Sequence, residues 1–386
     1  MNSKKTEISF IFPCLNERET IEGCIRELQQ VLSAMNIDYE IIISDNGSTD
    51  GSLEIAQKYK DVRIVHAAKK GYGEALKNGF AQANGKYIAF ADIDGSYPLN
   101  FLPQMYEKIV AENADMVVAS RMKGKIEDKA MPFMHRYVGT PVLTWIINLL
   151  FGGKLSDCNS GFRIMKNSAY KSWKVMSSGM EFASELLIKA LKNKAKIIEI
   201  PAGLNRDKRS KAPHLNTWRD GMRHLLFILS ECPKFFELIG LIFFITFSAL
   251  EMMSIFLAPL SIGNITILNY HSQLIFIILS SLGIQIWCFS MMLYIFSPQE
   301  KPYKISQKAL NLPEDRLFLI LICLLILVSY CLLSVFINWS KAHFQEINLI
   351  YYILPYLYAI TTISSGIFSL LSVHIIKRKY NDKAPR

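Results

Sequence analysis

Four stretches of the 386-residue chain, near 235–257, 272–296, 317–337 and 350–376, are almost unbroken apolar runs. Each exceeds the roughly 18–20 residues that carry a helix across the hydrocarbon core of a bilayer. A single run of this kind is also compatible with a buried helix in a large soluble core. Four in succession are rare there. Residues 233–386 are therefore read as a transmembrane domain with four helices. This accounts for a hydrophobic content of 51% and a mean hydropathy of +0.21, because the first ~232 residues have the mixed, charged composition of a globular domain.

Lys and Arg set the expected orientation. The loop between the second and third runs carries Lys301, Lys304, Lys308 and Arg316. The tail carries Lys377, Arg378, Lys379, Lys383 and Arg386, whereas the other two loops hold only Lys341. By the positive-inside rule, the N-terminal domain, the middle loop and the tail are expected in the cytoplasm of an integral membrane protein. The opening MNSKKTE is polar, so no cleavable signal peptide is expected before the first strand. The seven cysteines have no paired spacing, and Cys288, Cys323 and Cys331 fall in the apolar runs. That argues against a disulfide framework or a zinc site. A net charge of +10 points to anionic partners. With no nucleic-acid motif present, lipid and phosphate are favoured over nucleic acid.

The first part alternates strand and helix. ISFIFP, YEIIIS, VRIVHA and KYIAFA read as strands, and the segments between them have helical spacing. ADMVVAS and AKIIEIP read as further strands, with helices in VGTPVLTWIINLLF and GMEFASELLIKALKN and the segment GFRIMK between those helices. Short-looped β-α alternation predicts an α/β fold with a doubly wound, largely parallel sheet over residues 1–215. Ligands bind such sheets at the carboxyl ends of the strands. Three polar clusters fall there: PCLNE (13–17), SDNGSTD (44–50) and DIDGS (92–96).

Asp92 and Asp94 end an apolar strand one residue apart. Side chains at i and i+2 of an extended segment point to the same side. The pair is suited to share a hard divalent cation, Mg²⁺ or Mn²⁺, with the Ser96 hydroxyl as a further ligand. In SDNGSTD, Asp45 is placed to accept hydrogen bonds from a base or sugar, and Asp50 is placed to cap a helix. GYGEA (71–75) lacks the Lys-Ser/Thr of a P-loop and is not read as an ATPase site. Candidate phosphate-binding cations are Arg121, Arg136 and the cluster Arg206, Lys208, Arg209 and Lys211. The cluster precedes residues 216–232, where Trp218, Met222, Leu225, Leu226 and Leu229 share one helical face and Arg219 and Arg223 another. This segment is expected to be an amphipathic helix lying in the membrane interface. A core-facing helix is the alternative.

FPCLNE, SDNGSTDGS, ADIDGS, SRM, SDCNSGFRIMK and GMEFASELLIKA appear in an order that resembles family-2 glycosyltransferases of the polyprenyl-phosphate type, the dolichol-phosphate mannose synthases among them. The resemblance covers roughly residues 7–232. It implies a glycosyltransferase A-type fold and transfer of one sugar, with inversion, from a nucleotide sugar to a polyprenyl phosphate. It further implies that Pro13, Leu15, Asn16, Glu17 and Asp45 line the nucleotide pocket. Asp92 and Asp94 would hold the metal on the donor diphosphate, and Ser96 stands where the mannose synthases have Gln. Ser120, Arg121 and Arg136 would hold the acceptor phosphate, with Arg206 and Lys211 closing over the phosphates and Asp157 ordering the acceptor side. The Q-x-x-R-W signature of processive polysaccharide synthases is absent, which counts against chain elongation.

Two other functions are compatible with the residues: transfer to a saccharide or lipid hydroxyl, and a transporter or flippase with a degenerate cytoplasmic domain. The few charges in the spans, chiefly Glu237 and Glu251, count against an ion-coupled carrier. A homo-oligomer is compatible with the sequence.

Overall fold

A computed structural model of the chain describes residues 6–209, 217–257, 259–262, 265–297, 300–341 and 350–383. The chain divides into two compact units, Met1–Leu229 and Ser230–Arg386.

The first unit is a seven-stranded sheet covered by helices on both faces. Its first half runs β1 (Ile8–Cys14), α1 (Ile21–Ala34), β2 (Tyr39–Asp45), α2 (Ser52–Ala56), β3 (Val62–His66), α3 (Tyr72–Ala81) and β4 (Tyr87–Phe90). The second half runs α4 (Leu102–Ala111), β5 (Met116–Ser120), α5 (Thr140–Phe151), β6 (Arg163–Lys166), α6 (Asn167–Trp173), α7 (Phe182–Lys192) and β7 (Ile197–Pro201), followed by α8 (Thr217–Ser230). The strand order is β3-β2-β1-β4-β6-β5-β7. All neighbours are parallel except β6, which runs against both β4 and β5. The expected doubly wound, largely parallel sheet is present.

The β1 sequence shows why the strands read as continuous apolar runs. Ile8, Phe10 and Phe12 enter one core, Ile11 enters the other, and all four are fully buried. A strand covered on both faces loses the alternation of a half-exposed one. In α1, Ile21, Cys24, Ile25, Leu28 and Leu32 are buried, the i, i+3, i+4, i+7 pattern of one helical face.

The structure splits the apolar stripe expected on α8. His224 and Ile228 are buried, and Leu225 packs against the same core as Leu186 and Leu187. The His224 Nδ1 lies 2.6 Å from Ser184 Oγ. Met222 and Leu226 remain exposed. One side of the helix is thus docked on the first unit while a second apolar side is open. Lys211 and the Trp218 side chain lie outside the described residues.

The second unit contains α9 (Pro233–Leu257), a hairpin of β8 (Leu260–Ile262) and β9 (Ile265–Leu268), α10 (Tyr270–Phe296), α11 (Lys304–Leu310), α12 (Glu314–Lys341) and α13 (Ile350–Lys383). Helices α9, α10, α12 and α13 are long and apolar enough to cross a membrane. The hairpin and α11 fall in segments that read as plain loops in the sequence. Helices α9 and α10 pack backbone to backbone: a Cβ at Gly240 would fall 2.4 Å from the Trp287 nitrogen, and one at Gly283 would fall 2.3 Å from the Phe244 nitrogen. Small residues at such crossings are what lets membrane helices approach closely.

Candidate functional site

The carboxyl ends of β1, β2 and β4 and the loop before β6 meet at one edge of the sheet. Asn16 follows β1 in a left-handed conformation, φ 58°. Its backbone NH donates to Ser48 Oγ at 3.0 Å, and its side-chain oxygen accepts from the Thr49 NH at 2.8 Å. The Glu17 NH donates to Ser52 Oγ at 2.9 Å. From β2, Asn46 accepts from the Gly71 NH at 2.7 Å. These bonds tie three loops into a rim on which Pro13 and Leu15 are half-buried. Asp45 is buried and accepts from the backbone of Gly47 and Ser48, each at 3.0 Å. Burial acts to raise its carboxyl pKa, but the Ser48 and Gly47 hydrogen bonds outweigh it and hold the group below its ordinary value.

β4 ends at Phe90, so Asp92 follows an extended stretch while Asp94 already lies in a turn. The turn forms because Ser96 closes on Asp94: its NH and hydroxyl donate to Asp94 Oδ1 at 2.9 and 2.6 Å. Asp92 accepts from the Tyr72 hydroxyl at 2.8 Å. A Cβ at Gly161 would sit 2.2 Å from Asp92 Oδ2, so position 161 has room only for glycine. Burial, reinforced by the charge of Asp94, pushes the Asp92 carboxyl up to about 7. Two close carboxylates, one of them with its affinity for a proton raised by burial and by its neighbour, form a site that a hard cation would relieve. The donor set fits Mg²⁺ or Mn²⁺: carboxylate oxygens with a hydroxyl alongside. Among the described residues no group of three or more His, Cys, Asp or Glu side chains is arranged to hold a metal ion, so an ion here would rest on the Asp92 and Asp94 pair and on ligands from outside the protein. Positions for non-protein oxygen ligands would therefore stay open on such an ion.

The cation found at this pair is Arg209. Its guanidinium donates to Glu17 Oε1 at 3.0 Å, Asp94 Oδ2 at 3.3 Å and Asp207 Oδ1 at 2.9 Å. Burial raises the Glu17 carboxyl to about 6, with Arg209 pulling against it. Arg206 is not part of this cluster. It is exposed, its Nε donating to the Asp128 carbonyl at 2.6 Å and its NH to Glu127 at 3.0 Å. The structure thus brings Glu17, Asp92, Asp94 and Ser96 together, with Arg209 rather than Arg206 against them.

On the other side lies a second network. Asp157 is fully buried and receives Arg121 through its backbone NH, Nε and Nη2 at 3.0, 2.8 and 2.8 Å. Burial would raise the Asp157 carboxyl, but the Arg121 charge and hydrogen bonds hold it below its ordinary value. Arg121 Nη1 has no partner among the described residues. Ser120 Oγ lies 2.6 Å from Ser156 Oγ. Behind them Glu199 accepts from Ser156 NH at 2.8 Å, Ser156 Oγ at 2.8 Å, Asp157 NH at 3.1 Å and Lys123 Nζ at 2.9 Å. The fully buried Arg163 braces the same loop by donating to the carbonyls of Ser160, Ala183 and Cys158. Sequence reasoning did not single out Glu199, Tyr72 or Gly161. Their only signal was position, within AKIIEIP, GYGEA and NSGFR.

Arg136 lies apart, on a π-helical turn (His135–Gly139) leading into α5. It is half-buried, has no ion pair among the described residues, and stands 5.3 Å from the Tyr137 ring centre. On α5, Leu143 and Ile147 face the core, whereas Val142, Trp145 and Leu149 form an exposed apolar stripe that Val138 of the preceding turn begins. Phe133 and Met134 extend it.

Residues 9–173 match the family described as glycosyl transferase family 2. The chain is 34% identical over 228 residues to the low-salt glycan biosynthesis hexosyltransferase Agl6 of Haloferax volcanii, a match covering 59% of this chain and 54% of that protein. It is 32% identical to the UDP-N-acetylglucosamine–dolichyl-phosphate N-acetylglucosaminyltransferase of Methanococcus voltae, covering 50% of this chain and 84% of that protein. Among solved structures, glucosyl-3-phosphoglycerate synthase from Mycobacterium tuberculosis is similar at 22% identity and a TM-score of 0.48, over 59% of this chain and 80% of that one.

Proposed function

The chain belongs to glycosyl transferase family 2, and on that premise we propose that it moves one sugar from a nucleotide sugar to a polyprenyl phosphate at a membrane surface. The observation that carries this reading is the setting of Arg136. A guanidinium without a carboxylate partner among the described residues adjoins the exposed stripe of Val138, Val142, Trp145 and Leu149. A cation beside an open apolar face suits an acceptor that is a phosphate at one end and hydrocarbon at the other. The named acceptor of the Methanococcus voltae relative, a dolichyl phosphate, supports the same class. The four membrane-length helices support a membrane location.

The rim of Pro13, Leu15, Asn16, Glu17 and Asp45 receives the nucleotide in this reading. Asp92 and Asp94 hold Mg²⁺ or Mn²⁺, which supplies stabilisation for charge developing on the leaving diphosphate. Arg121, oriented by Asp157, and Arg136 position the acceptor phosphate and offset its repulsion from the donor. A phosphate monoester has its second pKa near ~6 and is already a charged nucleophile at neutral pH. A hydroxyl acceptor would need a general base. Attack from the face opposite the diphosphate inverts the anomeric carbon. Residues 1–215 form the catalytic domain, α8 lies at the interface through Met222 and Leu226, and the Lys and Arg pattern favours a cytoplasmic catalytic unit and C-terminus.

The test offers purified full-length protein a panel of nucleotide sugars with polyprenyl phosphate or polyprenol, with products read by mass. A sugar phosphodiester formed only from the phosphate is expected. Equal use of polyprenol would overturn the acceptor assignment.

A further inference from the structure

The short helix α11 is held in place by an unusual investment of polar groups. Glu237 of α9 is fully buried. It accepts from the Tyr303 NH at 2.9 Å, from the Tyr294 hydroxyl at 2.6 Å and from Ser306 Oγ. Trp287 Nε1 donates to the same Ser306 hydroxyl at 2.7 Å. Ser306 and Leu310 are therefore turned inward and buried. The opposite face, Lys304, Gln307 and Lys308, is exposed, and Asn311 continues it beyond the helix end. These residues and Arg316, from the first turn of α12, line a cleft of about 660 Å³. That volume is within the ~300–1,000 Å³ range of small-ligand sites.

Lys304, Lys308 and Arg316 have no ion pair among the described residues. Lys377 adds a fourth positive charge nearby, donating to the Leu310 carbonyl and to Asn311 Oδ1. Glu314 is engaged by Arg378 at 3.8 Å. A charge bias that only sets topology needs the cations to be present in the loop. It does not need them fixed around a cleft by a buried carboxylate. The Lys and Arg side chains are donors only, and the amide groups of Gln307 and Asn311 can each turn an NH2 donor toward an oxyanion seated between them. The cleft also opens where α12 begins, a helix with Phe318, Leu319 and Ile322 exposed. Hydrocarbon chains and a phosphate would be accommodated side by side.

We propose that the cleft between α11 and the start of α12 is a phosphate-binding site that takes the head group of an anionic membrane lipid. The site is independent of the donor and acceptor assigned above, and none of its residues belongs to the catalytic machinery. The test follows the thermal transition of full-length protein in neutral detergent with phosphatidylglycerol, with phosphatidylcholine, or with inorganic phosphate. A rise with phosphatidylglycerol alone is expected, and would identify the lipid as the source. A rise with inorganic phosphate as well would keep the site but assign it to free phosphate. The combined variant Lys304→Gln/Lys308→Gln/Arg316→Gln should bind phosphatidylglycerol roughly fivefold more weakly for each cation removed. Because all three side chains are exposed, nucleotide binding by the first unit should be unchanged. Equal responses of variant and wild type, or no response of the wild type to either anionic compound, would overturn the proposal.

Discussion

Arg209 donates to the Asp94 carboxylate at 3.3 Å, from a loop more than a hundred residues away in sequence. The same guanidinium reaches Glu17. An internal cation therefore stands where the proposed divalent ion would exert its charge.

Arg209→Ala should consequently bind Mn²⁺ more tightly in the absence of donor, by about tenfold, the low end of the worth of one charge-assisted hydrogen bond. Calorimetric titration of the full-length protein checks this. Weaker binding in the variant would mean that Arg209 supports the site rather than competes for it.

Asp94→Asn should fold normally, since Asp94 is only partly buried and Ser96 can still donate to the amide oxygen. Transfer should fall by roughly a hundredfold or more. Chelator should abolish wild-type transfer, and Mg²⁺ or Mn²⁺ should restore it. Full activity of Asp94→Asn in metal-free buffer would contradict the metal assignment.

Glu17 is expected to make the metal-free protein sensitive to pH. Burial raises its carboxyl from an ordinary value of 4.5 to about 6. The folded state therefore holds the proton more tightly than the unfolded chain. The associated stability is complete below about pH 4.5 and is lost as pH rises through about 6. Glu17→Gln should remove this component, gaining about 1 kcal/mol relative to wild type between pH 4 and 8, because the carboxyl is partly screened by solvent. Denaturant midpoints of both proteins across that range measure it; parallel profiles would count against the assignment.

Glu199 lies behind the Arg121–Asp157 pair. It fixes Ser156 and Asp157, and through Asp157 it orients Arg121. Glu199→Gln should raise KM for the lipid phosphate about tenfold and leave KM for the nucleotide sugar unchanged. A uniform loss in both would indicate a general packing defect.

Trp145→Glu with Leu149→Glu should impair use of long-chain acceptor while leaving the thermal transition and nucleotide binding close to wild type, because both side chains are exposed. Leu225→Asp should instead destabilise the first unit by roughly 3 kcal/mol, since that side chain packs into its core. Undiminished activity of the α5 double variant on long-chain acceptor would remove the apolar stripe from the acceptor site.

The strand-ending clusters were legible in the sequence because period and position carry the information. A β-strand shows its apolar run, and a functional loop shows the polar residues that break it. Asp92, Asp94 and Glu17 were identifiable on that basis. Arg209 and Arg206 were not distinguishable, since two arginines three residues apart in a basic loop have equal chemistry. Only the path of the chain turns one toward Glu17 and the other toward Asp128. The α8 stripe failed for a related reason. Helical spacing groups Leu225 with Leu226, but it cannot say which of two apolar sides meets the core. The exposed stripe on α5 was hidden because a helix apolar all round shows no contrast between its faces.

The reversal of β6 has an effect on how this chain can change. Arg163, at the start of β6, pairs with Phe90, at the end of β4. A strand running backwards brings the segment before it, not after it, to the working edge of the sheet. Residues 156–162 thereby reach Asp92 from a stretch of sequence separate from the loops after β1 and β2. The two halves of the proposed reaction are thus encoded in different blocks, one before about residue 100 and one after Ser120. Exchange of either block between relatives would alter the choice of one reactant while leaving the other in place, provided both relatives carry Asp at position 92 and Gly at position 161.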